Sequence, residues 1–180
     1  MIAALLAMPS VAHAQFEFGG QLGLRSRSEN GKTVNGSQFG AVLVHTNGAT
    51  AQIVDLAIVQ MRNKTAAGAA VRENSVEASL LIRRALTHMI GVGLGPAVGY
   101  AIGCASRDVD GVDFGDILCV SDFASKGTVR VGYAIQLDIA RTLRTGAVVR
   151  AGLRGTGLTV ASGSASPKPA LWAGLTLPMR

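Results

Sequence analysis

Aromatic residues are scarce in this chain: Phe, Tyr and Trp together make up 4% of 180 residues. Proteins that grip single-stranded nucleic acid set aromatic stacking platforms among clustered Lys and Arg. Here the rings are few and the arginines dispersed, so no nucleic-acid partner is expected despite a net charge of +6 and a pI near 10.0. Cysteine is rarer still, with two residues against three histidines, and none of the histidines stands near the cysteines. Zinc needs more ligands than that arrangement supplies. The chain also lacks an apolar run long enough for a membrane helix. Its most apolar stretch, residues 89–102, is interrupted by glycines and Pro96 and falls short of the roughly 20 residues a spanning helix needs. Yet 48% of residues are hydrophobic, only 16% are charged, and mean hydropathy is +0.35. An apolar chain without helical spans fits a closed β-barrel, the other structure that satisfies every backbone group in lipid. The 23 glycines suit a barrel with a narrow interior.

What is present is alternation. Between Thr128 and Ile139, the residues Val129, Val131, Tyr133, Ile135, Leu137 and Ile139 alternate with Arg130, Gly132, Ala134, Gln136 and Asp138. Successive strand side chains point to opposite faces, so one face is apolar throughout and the other small or charged. Residues 146–157 repeat the pattern, with Val149, Ala151 and Leu153 set against Arg150, Gly152 and Arg154. Each run reaches the roughly ten residues that a tilted strand needs to cross a bilayer. Together they predict a membrane-spanning hairpin.

The rest of the chain supplies six more strands. The first carries Phe16, Phe18, Leu22 and Leu24 against Glu17, Gly19, Gln21 and Arg25. A polar segment with two Asn-Gly pairs, at residues 30–31 and 35–36, is expected to turn. The second strand covers residues 38–45, and Asn47-Gly48 marks a tight hairpin. The third runs over about 49–61, followed by a longer polar connection over 62–73. The fourth, about 75–86, sets Val76, Leu80 and Ile82 against Glu77, Ser79 and Arg83, and a brief turn follows at Thr87-His88. On the fifth, Ile90, Val92, Leu94, Val98, Tyr100 and Ile102 alternate with glycine and alanine alone. The sixth and seventh form the hairpin above, and the eighth runs over 170–177. Connections after odd-numbered strands are long and polar; those after even-numbered strands are brief.

This pattern resembles the small eight-stranded outer-membrane barrels of the OmpA/OmpX type. The resemblance spans nearly all of residues 15–180 and lies in pattern, not in a motif. It implies an all-β, eight-stranded antiparallel up-and-down transmembrane barrel in the envelope of a Gram-negative bacterium. Both termini would lie on the short-turn, periplasmic side. Outer-membrane lipid, lipopolysaccharide and the barrel-insertion machinery are the implied partners, and a monomer is expected. The sequence departs from the family in ending Leu177-Pro178-Met179-Arg180, without a terminal aromatic, and in its thin supply of girdle aromatics. Alternation alone leaves the facing open. A soluble, exported, lipocalin-like carrier would place the bulky apolar residues inside and the arginines outside.

Residues 1–14 read as a signal peptide, an apolar core ending in Ala12-His13-Ala14 before Gln15, although basic residues ahead of the core are missing. Export implies an oxidising compartment, so Cys104 and Cys119 are read as a disulfide. The loop they would close, roughly fifteen residues long, corresponds to about 3 kcal/mol of chain entropy. If the small and charged face is the inner one, Glu17, Arg25, Asp55, Glu77, Arg83, Arg130, Asp138, Arg150 and Arg154 share the lumen. Charges there need partners. The expected network links Arg130 and Arg150 to Glu77, Asp55 or Asp138 and plugs an interior just wide enough for side chains.

In the loops, Asp108, Asp110, Asp113 and Asp116 are dense enough in carboxylate to hold Ca²⁺, the only cofactor considered, though without EF-hand spacing. Arg25, Arg27, Lys32, Arg62, Lys64, Arg72, Lys126 and Lys168 fall on the long-loop side, where they could neutralise lipopolysaccharide phosphates. Hydrolytic chemistry needs a nucleophile within reach of a base. The candidate bases, His45 and His88, fall at short turns, away from any outer-leaflet substrate, so no enzymatic activity is expected.

Overall fold

The computed structural model describes residues 15–29, 32–64, 70–107, 128–159 and 168–179. They form β1 (Gln15–Glu29), β2 (Lys32–Asn47), β3 (Thr50–Lys64), β4 (Ala70–Ala85), β5 (Ile90–Arg107), β6 (Val129–Thr142), β7 (Val148–Thr159) and β8 (Lys168–Pro178). Each strand pairs antiparallel with its sequence neighbour. β1 also pairs with β8, from Glu17↔Pro178 to Arg25↔Ala170, which closes the barrel. Closure leaves no open sheet edge, the condition for strands to exist in lipid.

The apolar face is the outer one. On β6, Ile135 and Leu137 are 46% and 49% exposed, and Leu175 on β8 is 48% exposed, whereas Arg150 is 5% exposed. This distribution overturns the lipocalin-like alternative, which required the opposite facing. The outer belt runs from Phe16 to Leu24 on β1, from Val129 to Ile139 on β6 and from Leu171 to Leu177 on β8. In water it would be a large unfavourable surface. In lipid, each large side chain recovers about 1.5–3 kcal/mol relative to full exposure to water.

The strands are longer than the belt. The expected turn at Asn35-Gly36 is absent; both residues lie within β2, paired with Arg62 and Met61 of β3. The polar connection read over 62–73 is likewise shorter, because β3 continues to Lys64 and β4 begins at Ala70. β5 continues to Arg107, past a bulge where Asn74 pairs with Gly103 and Ser75 with Ala101. Hydrogen-bonded pairing persists in water beyond the membrane, but apolar alternation does not. The signal in the sequence therefore stops where the lipid stops, not where the strand does.

At the other end the chain turns tightly. Gly48 takes φ 60 in the turn between β2 and β3, a left-handed conformation that glycine adopts without steric cost. At the Leu86–Met89 bend the Thr87 hydroxyl accepts hydrogen bonds from the backbone N–H of Met89 (3.2 Å) and Ile90 (2.9 Å). On the inner face, the small residues of β5 leave room for neighbours. A Cβ at Gly91 would clash with the Arg83 guanidinium carbon, and one at Gly99 would sit 2.7 Å from Leu158.

Ile135 stands mid-belt on β6. Ile135→Arg should destabilise the barrel by about 2–4 kcal/mol, the usual cost of a midplane cation. Urea titration of protein refolded into lipid vesicles would measure it; a change below about 0.5 kcal/mol would mean that the face does not meet lipid.

Candidate functional site in the lumen

Inward parity brings charged residues from five strands, β1, β3, β4, β6 and β7, into one narrow space. Four arginine–carboxylate pairs lie there among the described residues: Arg25–Glu77 at 2.7 Å, Arg83–Asp138 at 2.6 Å, Arg150–Glu17 at 2.8 Å and Arg154–Asp55 at 2.6 Å. Glutamines and a threonine extend the pairs. Arg154 donates from Nε and Nη2 to the Gln136 carbonyl at 3.1 and 2.6 Å. Gln136 donates in turn to Asp138 at 2.7 Å. Asp138 takes a two-pronged contact from Arg83, whose Nε lies 2.9 and 3.0 Å from its two oxygens. Gln21 donates to the Asp55 carboxylate that Arg154 also holds. The result is one chain of bonds, Gln21–Asp55–Arg154–Gln136–Asp138–Arg83.

Two shorter groups complete the set. Arg25 donates from Nη1 to both Glu77 oxygens at 2.7 Å and from Nη2 to Gln38 at 3.0 Å. Glu17 accepts from Arg150 at 2.8 Å and from the Thr176 hydroxyl at 2.6 Å. The Arg154 guanidinium also lies 5.3 Å from the centre of the Trp172 ring, within cation–π range.

The pairing differs from the sequence expectation. Arg150 takes Glu17, not Glu77, Asp55 or Asp138. Arg130 takes none of these acids; its Nε has no hydrogen-bond partner, and it stands beside Gly99. Parity fixes the face of a residue but not its height on the barrel, so it could not select partners. Gln21, Gln38, Gln136, Thr176 and Trp172 belong to the network as well. Gln21 and Gln136 share parity with the charged residues on β1 and β6, whereas Gln38, Trp172 and Thr176 are marked only by standing opposite the apolar face of their strands.

The lumen is not polar throughout. Val42, Val44, Ile53, Leu81 and Leu158 pack there with Ala51, Ala97 and Ala134. Val34, Val59 and Met61 form a second cluster. Both faces are apolar where the sequence runs continuously apolar, as in residues 41–44 and 80–82. Amid the charges, Arg25, Gln38, Asp55, Glu77, Ser79, Arg154 and Thr156 surround a cavity of about 10 Å³. That is close to the minimum for one water.

Other candidate residues stand apart from this network. His45 stacks on Phe16, with centroids 4.4 Å apart, and His88 is exposed at its bend. Neither shares a hydrogen bond with a carboxylate or hydroxyl among the described residues. Residues 1–14, the side chain of Cys104, Cys119, and Asp108, Asp110, Asp113 and Asp116 lie outside the described residues. So do the side chains of Arg27, Lys32 and Lys64, and Lys126. No group of three metal-binding side chains occurs among the described residues.

Comparison with solved structures gives several matches at low sequence identity. The crystal structure of neisserial surface protein A (NspA) superposes with a TM-score of 0.57 at 12% identity, over 91% of this chain and 96% of that one. Ail, the attachment invasion locus protein of Yersinia pestis, matches in two structures. One is in complex with the heparin analogue sucrose octasulfate (TM-score 0.54, 11% identity, 92% of this chain and 97% of that one). The other, a second crystal structure of Ail, matches with a TM-score of 0.51 at 12% identity, over 93% of this chain and 99% of that one. The fold is that of the small outer-membrane barrels. No protein-family model matches the chain, and no curated protein sequence does.

In this small barrel the pair that joins distant walls is the most informative to break. Arg154→Ala would strand Asp55, 2% exposed, in the lumen. Unfolding free energy should fall by about 3–5 kcal/mol. Removing both partners in a double variant should restore part of the loss. A strictly additive double-mutant cycle would show that the two side chains do not interact.

Proposed function

We propose that the chain is a bacterial outer-membrane protein of the Gram-negative envelope, without catalytic activity. Its barrel is a plug, and its role is structural or one of surface interaction through the long loops. The observation that carries this reading is the facing of the side chains, apolar towards lipid and ion-paired within. On this reading both ends of the barrel, β1 at Gln15 and β8 at Pro178, would face the periplasm together with the tight turns. The barrel would then be inserted as a monomer by the outer-membrane assembly machinery. Fractionation tests the location. The protein should remain in the detergent-extracted outer membrane and migrate differently on gels when unheated. Recovery in the soluble periplasmic fraction would refute it. Planar-bilayer recordings test the plug: no steady conductance is expected, and a large one would show an open pore.

The long-loop end carries a feature that favours polyanions. Arg62 and Arg72 are directly cross-strand on β3 and β4, and both are exposed. Like charges placed opposite each other destabilise a sheet, and an anion bound between them would relieve the repulsion. Ail has been crystallised with a sulfated heparin analogue. By the same chemistry, the phosphates of lipopolysaccharide or a sulfated surface polysaccharide suit this pair. The Cys104–Cys119 disulfide and a Ca²⁺ site on Asp108, Asp110, Asp113 and Asp116 belong to the same end as proposals. Replacing Arg62 and Arg72 by Gln should weaken lipopolysaccharide binding at least about tenfold, at about 1 kcal/mol per cation. Surface plasmon resonance at several salt concentrations would measure it. Unchanged affinity would remove the arginine pair from the contact.

A further inference from the structure

The short-turn end of the barrel opens into a vestibule of about 680 Å³ between the Gly48 turn, the bend before β5 and the β6–β7 connection. Three arginines line it, Arg83, Arg141 and Arg150, together with His88 and a single carboxylate, Glu17. Asp138, which holds Arg83, brings the acids to two, so the mouth keeps an excess of positive charge even with both pairs formed. Arg84 on β4 and Arg144 in the β6–β7 connection add exposed cations at the same end.

The two inner arginines are only partly used. Arg83 gives Nε and Nη2 to Asp138, which leaves Nη1. Arg150 gives Nη2 to Glu17, which leaves Nη1 and a buried Nε without a partner. Arg83 and Arg150 are 8% and 5% exposed, so both guanidinium groups are held in place, and Arg150 Nε is shut off from water. Buried guanidinium N–H groups without acceptors are unfavourable. They are also preorganised for an oxyanion. The two arginines come from different walls, β4 and β7. A planar carboxylate is satisfied by one guanidinium fork, whereas a tetrahedral phosphate presents oxygens to both.

We propose that this vestibule binds a phosphate or phosphate-ester group, held by the free N–H groups of Arg83 and Arg150 and enclosed by Arg141 and His88. Its volume exceeds that of phosphate alone and leaves room for an attached polar group. Glu17 is then the internal competitor for Arg150.

The test uses the full chain refolded in nonionic detergent. Inorganic phosphate is titrated at constant ionic strength while the arginine Nε–H resonances are followed by NMR. Resonances of Arg83 and Arg150 should shift and saturate, while those of Arg25 and Arg154 stay still. Arg141→Gln should weaken the affinity about three-fold, the scale of one exposed charge contact. Glu17→Gln, which can keep its bond with Thr176, should tighten it by a similar factor. A second arm places the protein in nanodiscs of phosphatidylglycerol or of phosphatidylcholine, without free phosphate. Saturation by inorganic phosphate identifies a soluble ligand. Shifts only in phosphatidylglycerol identify a lipid head group. Silence in both arms, shifts that never saturate, or equal movement of Arg25 and Arg154 would overturn the proposal.

Discussion

Pairing of β1 with β8 is the interaction on which the rest of this structure depends. Nine residues of β1, from Glu17 to Arg25, find partners on β8, and without them two strand edges would face hydrocarbon unpaired. Once the sheet is closed, its two surfaces are bound to different solvents. The outer surface meets lipid and must be greasy. The inner one is too narrow for bulk at every position, which accounts for the glycines and alanines of β5. The charges that do enter must neutralise one another across the space, because water is largely shut out. The facing of Ile135 and the pairing of Asp55 are therefore two consequences of a single constraint.

The same constraint explains why likeness to NspA and Ail survives at 11–12% identity. A closed barrel in a membrane asks for alternation, for turns at one end and for interior charges that balance. It does not ask for particular residues at particular positions. Sequence comparison therefore finds little to match, while strand number and closure persist.

Much of this was legible in the sequence. The run from Val129 to Ile139 declared its two faces, and the parity of Glu17, Asp55, Asp138 and Arg154 marked the inward residues correctly. Partners were not legible. Which acid stands at the height of Arg150 depends on how far each strand is shifted against the next around the wall, and no local pattern records that shift. Strand ends were hidden for a different reason. Above the lipid the contrast reverses, with Arg62 and Asn35 outside and Val34 and Met61 inside, so β2 and β3 continue without the pattern that identified them lower down. Val44, Ile53 and Leu81 broke the rule of a polar interior. The clue was a loss of alternation, easily taken for noise.

Asp55 and Arg154 stand on β3 and β7, four strands apart whichever way round the wall is followed. No two neighbouring strands hold both groups, so their contact belongs to the closed wall and not to any single hairpin. If the wall opened, carboxylate and guanidinium would each need water in place of the other. The bond is a latch across the finished barrel, fastening walls that no backbone ladder joins.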